Sequence, residues 1–215
     1  MEKEKIIEAI KQLDQYKKNF VQTYDLIVVL KNVDLNKIAN QINGSLQLPH
    51  ERKYNEKVCA IVGTEKIDEA KNVADFVITP SEIDKYADKK LAKSVARNYD
   101  IFIAQQNMMP KIAKLFGRVL GPRKKMPNPK VGSVFTPATD LKSLVEKLKK
   151  TINIQIRDQY HIQVPVGHEK LKPEEVAENI ETVLKYILSH LPGGKSNIDK
   201  VYLKKTMSPV VELKL

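Results

Sequence analysis

Four cations, Arg123, Lys124, Lys125 and Lys130, fall after Leu120 in the stretch Gly117–Lys130 (GRVLGPRKKMPNPK), and no carboxylate occurs between Asp100 and Asp140. Such a set can capture a polyanion by electrostatics, because ordinary surfaces interleave both signs and this stretch does not. Gly121-Pro122 and Pro127-Asn128-Pro129 remove backbone donors and fix φ, so a loop of set shape is expected from Leu120 onward. A merely solvated charged face is the plainer alternative.

Other chemistries find little support. His50, His161, His168 and His190 have no metal-ligand spacing, and the single thiol, Cys59, gives them no partner pair. No serine lies in G-x-S-x-G, and no carboxylate pair sits in a recognisable catalytic frame. Gly193-Gly194-Lys195-Ser196 imitates the end of a P-loop, but Ser189 stands where its first glycine belongs and the segment follows a helix. A helix stop is expected there, with no cofactor and no metal. Two corners of the chain carry softer chemistry. Phe20 and Thr23 sit beside Lys17, Lys18 and Asn19, where Phe20 reads first as a core residue. Thr206, Met207 and Ser208 read first as an ordinary turn, yet small hydroxyls and backbone N–H groups can approach the shallow groove of an RNA helix while a methionine lies flat on sugars or bases.

The charge balance favours nucleic acid. Lys plus Arg number 37 against 26 Asp plus Glu, a net charge of +11, with an anionic membrane surface as second choice. Residues 1–55 hold nine basic and seven acidic side chains, 56–150 hold nineteen and eleven, and 151–215 hold nine and eight. The middle therefore carries most of the excess. One cysteine excludes an internal disulfide framework, and the N-terminus lacks an apolar signal region, so a soluble cytoplasmic protein is expected.

Periodicity supplies the elements that must hold these residues. An amphipathic helix is expected over 3–17, a strand over Thr23–Leu30, a helix capped by Asp34 with Leu35, Ile38, Ala39 and Ile42 on one face, and a short strand over Ser45–Leu48. From Val58 to Lys150 strands and helices alternate, with apolar strands at VCAIV, FVI and DIFIA. Ser81 and Asp84 fit a capping box opening a helix that carries Ile83, Leu91 and Val95. A further helix starts near Pro110 and ends at Gly117. Ile152, Ile154, Ile156 and Ile162, Val164, Val166 alternate across 157–160 and predict a β-hairpin. A long helix from Pro173 and two closing strands follow. The fold class is thus α/β and α+β: a discontinuous α+β domain from 1–55 and 151–215, with a Rossmann-like α/β domain inserted at 56–150. That inserted layer leaves one enzymatic alternative, a nucleotide-dependent enzyme resting on architecture alone.

Gly117–Gly132 resembles the signature loop of the ribosomal protein L-one family, the large-subunit proteins of the mobile stalk. Asn19–Asp25 (NFVQTYD) is similar to that family's recognition corner and Lys205–Pro209 (KTMSP) to its C-terminal recognition turn. Ser45–His50 and Val164–Gly167 also match, collinearly over nearly the whole chain. The resemblance implies binding to a folded region of large-subunit ribosomal RNA, contact with the elbow of exit-site tRNA, and repression of the protein's own mRNA, by a protein that is monomeric off the ribosome. Carried over, Phe20, Thr23, Lys205, Thr206, Met207 and Ser208 form the RNA surface, which Asp25 orients. Arg52, Lys53, Arg123, Lys124, Lys125 and Lys130 are the tRNA or phosphate contacts. Bacterial members usually have Gly-Leu in place of Lys124-Lys125 and Gly in place of Ser208, so an archaeal subtype is implied.

Overall fold

The computed structural model describes residues 3–34, 42–156 and 159–213 and divides into two compact units, Met1–Tyr54 with Lys150–Leu215, and Asn55–Lys149. The helix expected after Asp34 lies outside the described residues.

The first unit is α+β. Helix α1 (Lys3–Leu13) buries Ile6, Ala9, Ile10 and Leu13, spaced three and four apart so that one stripe faces inward. Strand β1 (Thr23–Leu30) alternates strictly, with Tyr24, Leu26, Val28 and Leu30 buried. Together with β8 (His161–His168), β9 (Ile198–Lys205) and β10 (Val211–Leu213) it forms an antiparallel sheet in the order β10-β9-β1-β8. Helix α6 (Pro173–His190) packs Val176, Ile180, Val183 and Ile187 into the same core as α1. Each such side chain contributes about 1.5–3 kcal/mol by leaving water. Strand β1 shifts register against β8 between Tyr24 and Asp25, an irregularity that re-aims the side chains beside its first residues.

Strands β2 (Asn43–Gln47) and β7 (Thr151–Gln155) pair antiparallel in a sheet of their own. Among the described residues the two strands of the hairpin expected around 157–160 take other partners, β7 pairing with β2 and β8 with β1, while residues 157–158 of its turn lie outside the described residues. All six alternating residues are buried as their pattern demands, but alternation fixes the face of a strand and leaves its neighbour undetermined. Pairing β2 with β7 holds the outgoing and returning chain side by side. Leu48 N–H donates to Lys150 O (2.9 Å) and Arg52 Nη1 to Thr151 O (2.5 Å).

The second unit is α/β. Strands β3 (Val58–Ile61), β4 (Phe76–Ile78), β5 (Ile101–Gln105) and β6 (Val134–Phe135) run parallel in the order β4-β3-β5-β6. Every residue of β3 and β5 is buried, as a sheet covered on both faces requires. One face packs Cys59, Ile61 and Phe102 against α3 (Lys89–Asn98) and α4 (Met109–Leu120), and the other packs Val58, Ala60 and Ile103 against α2 (Ile67–Val73) and α5 (Leu141–Lys150). Burial pushes the Cys59 thiol far up, leaving it an inert apolar filler.

Three local expectations change. Helix α4 runs through Gly117 to Leu120 and stops at Gly121, where a Cβ would meet Gly117 O at 2.6 Å. The capping interaction forms at Thr79 and Glu82, whose carboxylate accepts from the Thr79 hydroxyl (2.9 Å), two residues before the expected pair. Leu91 is 47% exposed, and Ala92 and Ala96 take the inward positions of α3 instead. The two-residue strand β6 was too short for periodicity to reveal.

Candidate functional site

The β9–β10 turn and the corner before β1 meet at one end of the central strand pair of the antiparallel sheet, although 183 residues separate Thr206 from Thr23. Thr206 N–H donates to Thr23 O (3.1 Å), and Thr23 N–H donates to Thr206 Oγ1 (3.3 Å), which donates back to Thr23 O (3.4 Å). Ser208 Oγ accepts from Lys205 N–H (2.8 Å) and donates to Pro209 O (2.8 Å), closing the turn on itself. The Thr206 and Ser208 hydroxyls thus act first as clasps.

Beneath the turn lies a buried polar pivot. Gln22 is fully buried with all its amide groups engaged: Nε2 donates to Tyr16 O (2.7 Å) and Glu169 Oε1 (3.1 Å), and Oε1 accepts from Met207 N–H (3.0 Å). Lys205 is 1% exposed, and its ammonium lies 2.8 Å from Asp14 Oδ1 and 2.9 Å from Glu169 Oε1. Lys205 is therefore a strut under the turn and no surface cation. Burial tends to raise the Glu169 carboxyl, but the Gln22 backbone N–H and the Lys205 ammonium outweigh it and hold the group below its usual range. Burial, with an Asp14 carboxylate 2.8 Å away accepting its hydrogen bond, pushes the Tyr24 hydroxyl far up.

The depressed Glu169 gives a signed pH prediction. Its stabilising contribution is fully present above the unfolded carboxyl value near 4.5 and is lost as pH falls through the lower native value. The melting-temperature gap between wild type and Glu169→Gln should accordingly narrow on acidification from about pH 6 to about pH 3. A gap independent of pH would remove Glu169 from the pivot.

What this pivot carries outward is apolar. Phe20 is 51% and Met207 60% exposed, so the core position expected for Phe20 is not where the structure puts it. Two large apolar side chains standing in water on a hydrogen-bonded base are a more informative feature than any buried one. Asp25 lies two residues along β1 from Thr23, opposite Lys204; burial raises its carboxyl, partly offset by Lys53 and Lys204. Asp14 and Glu169 had no identifying spacing in the sequence, since Glu169 comes from a segment 147 residues from Gln22, and Gln22, although inside the NFVQTYD corner, carried no sign of its buried role.

In the second unit the basic loop is less uniform than its sequence. Lys125 Nζ donates to Tyr99 O (2.7 Å) and Ala96 O (3.2 Å) and lies 3.5 Å from Asp100, capping the carbonyl end of α3. It anchors the loop. Arg123, Lys124 and Lys130 are exposed, with Lys124 in the left-handed region at φ 56°. Asn128 Oδ1 accepts from Lys130 N–H and Ser133 Oγ from Asn128 N–H, which fixes the far limb. In the first unit Lys53 is exposed, and Arg52 is partly buried against Thr151.

The nucleotide alternative meets a steric obstacle. In an open parallel sheet a nucleotide binds where the strand order reverses, here beyond the carboxyl ends of β3 and β5. Gln105, 2% exposed, fills that point, its Oε1 accepting from Gly63 N–H at 2.5 Å. Gly193–Ser196 likewise folds as a short 3-10 turn after α6, with Gly193 N–H bound to Asn197 Oδ1.

Residues 9–209 match the family described as Ribosomal protein L1p/L10e. Among curated relatives, the large ribosomal subunit protein uL1 of Pyrococcus abyssi is 39% identical over 99% of this chain and 97% of its own. The uL1 proteins of Nanoarchaeum equitans (41%, over 92% and 93%) and Methanothermobacter thermautotrophicus (38%, over 98% and 99%) are similar along the same span.

Proposed function

This chain belongs to the ribosomal protein L1p/L10e family, and on that premise we propose that Phe20, Thr23 and the Thr206–Ser208 turn grip structured large-subunit ribosomal RNA. It is an archaeal-type protein of the large subunit, associated with ribosomes in the cytoplasm, and not an enzyme. The observation that carries the RNA reading is the exposure of Phe20 and Met207 on a base whose polar groups are already satisfied. Apolar groups carried on a backbone fixed in this way recognise a fold by fit, because the base that presents them is ordered before binding. The near-neutral charge of the first unit's segments agrees with recognition by shape. Lys205 supports the turn from beneath, and Asp25 orients the adjoining strand.

Four exposed cations and the partly buried Arg52 supply the sequence-blind part. Lys53 and Arg52 in the first unit, and Arg123, Lys124 and Lys130 in the second, make phosphate contacts, including contacts to the elbow of exit-site tRNA and assistance in its release. The same RNA surface, meeting a look-alike fold in the protein's own mRNA, would repress translation of that message. Off the ribosome the protein is a monomer.

Crosslinking the protein in cells and sequencing the attached RNA tests the first part. Reads clustered on one helical region of the large-subunit RNA are expected; reads scattered over cellular RNA would overturn it. For the cationic part, Arg123→Gln with Lys124→Gln should flatten the salt dependence of RNA binding, lowering the slope of log K against log salt by about 2. Selectivity between the ribosomal fragment and unrelated RNA should stay as it was. A lost preference would mean the loop reads more than phosphates.

A further inference from the structure

Lys90, Lys93 and Arg97 on α3, and Lys111, Lys114 and Arg118 on α4, are all exposed and have no part in the site described above. Neither helix contains a carboxylate. None of the six forms an ion pair among the described residues. Their common placement follows from the fold. Ala92, Val95 and Ala96 of α3 and Ile112, Phe116 and Val119 of α4 bury the inward stripes against the same face of the parallel sheet. At helical spacing that turns each cationic triplet outward. Both helices link parallel strands, so they run in the same direction, and packed neighbours of this kind lie about 8–10 Å apart. The result is two cationic rows on one flat layer.

Of the carboxylates near this layer three have partners, while Asp84, exposed on the 3-10 turn Ile83–Ala87 beside both helices, leaves one negative charge against the six cations. Asp88 caps α3 by accepting from Lys90 N–H, Asp100 pairs with Lys125, and Glu82 accepts from Thr79. The anchor at Lys125 also fastens the basic loop to the carbonyl end of α3, so Arg123 and Lys124 extend the same layer. Only Leu91 is a large exposed apolar residue on either helix, and no exposed aromatic ring accompanies it. Single-stranded RNA needs stacking platforms and a bilayer needs an apolar face to insert, and this surface offers neither.

We propose that the outward α3–α4 layer is a second RNA-binding surface, which takes the phosphate backbone of a double-stranded RNA segment without reading its sequence. Over the roughly 15 Å length of such a helix, a nucleic-acid duplex presents about nine phosphate charges, enough to engage both rows. This surface is separate from the Phe20–Met207 face and stands whether or not that face holds ribosomal RNA.

The test uses the full chain and an RNA duplex of arbitrary sequence about two turns long, with binding followed by fluorescence anisotropy across a salt series. Lys93→Gln/Lys114→Gln/Arg118→Gln should lower the slope of log K against log salt by about 2.5 and weaken binding at least tenfold at about 0.1 M salt. Far-UV circular dichroism and melting temperature report that the fold is kept. Lys142→Gln/Lys147→Gln/Lys149→Gln on α5, across the sheet, removes equal charge and should change the slope much less. Equal effects of the two triplets would overturn the proposal, leaving net charge as the cause. So would unchanged duplex binding by the α3–α4 variant.

Discussion

Replacing Lys205 by methionine should cost about 3 kcal/mol of folding stability, the low end of what breaking a buried ion pair from one side costs. The ammonium of a residue 1% exposed lies 2.8 Å from Asp14 and 2.9 Å from Glu169. Methionine keeps much of the volume and removes the charge. Asp14, with a side chain 46% exposed, can rehydrate, whereas Glu169, at 20%, is left close to the buried Gln22 amide with less solvent to turn to. Denaturant midpoints measure the loss. Two companion variants separate charge from shape. Lys205→Arg keeps the charge, but its planar fork does not fit a point between two carboxylates, so it should recover only part of the stability. Adding Glu169→Gln to Lys205→Met should recover some as well, because the amide oxygen can still accept from Gln22 N–H without an unpaired negative charge. A loss below about 1 kcal/mol for Lys205→Met would mean the ammonium is no more than an exposed ion pair.

That strut also shows where sequence reading stops. The strand–helix rhythm from Val58 onward and the inward stripes of α1, α4, α5 and α6 follow from apolar spacing, since each element must bury one face whatever surrounds it. Pairing partners do not follow: β7 and β8 alternate as a hairpin would, yet each joins a different strand. The roles of polar residues are less legible again. Lys205 and Lys125 look like surface cations in the sequence, and both are consumed internally, one by two carboxylates and the other by the carbonyl end of α3. Phe20 looks like core and stands exposed. For the two lysines the deciding contact comes from a segment at least 26 residues away, and for Phe20 the deciding fact is that about half of the residue stays exposed. The motif residues of the turn and the corner, Gln22 among them, could be named from family resemblance, but not the buried role by which Gln22 joins the two.

Met207→Ala should weaken binding to a ribosomal RNA fragment by about 1–3 kcal/mol, or roughly 5- to 150-fold, with little change in protein stability. The side chain is 60% exposed in the free protein and contributes little to folding, while its backbone N–H is fixed by Gln22 Oε1 at 3.0 Å. Truncation therefore removes contact area and leaves the turn in place. Thr206→Ala should reach a similar loss by another route. Its Oγ1 accepts from Thr23 N–H and donates to Thr23 O, so alanine loosens the clasp between the turn and β1 and adds an ordering cost on binding. Thr206→Ser keeps the hydroxyl and should restore most of the affinity, an outcome the Met207 site cannot imitate. Phe20→Ala completes a double-mutant cycle with Met207→Ala. If one RNA surface covers both side chains, the two losses should sum to more than the double variant shows; strict additivity would place them on separate contacts. Unchanged affinity for both Met207→Ala and Thr206→Ala would take recognition away from this turn, and the exposed pair above the buried pivot would need another partner to explain it.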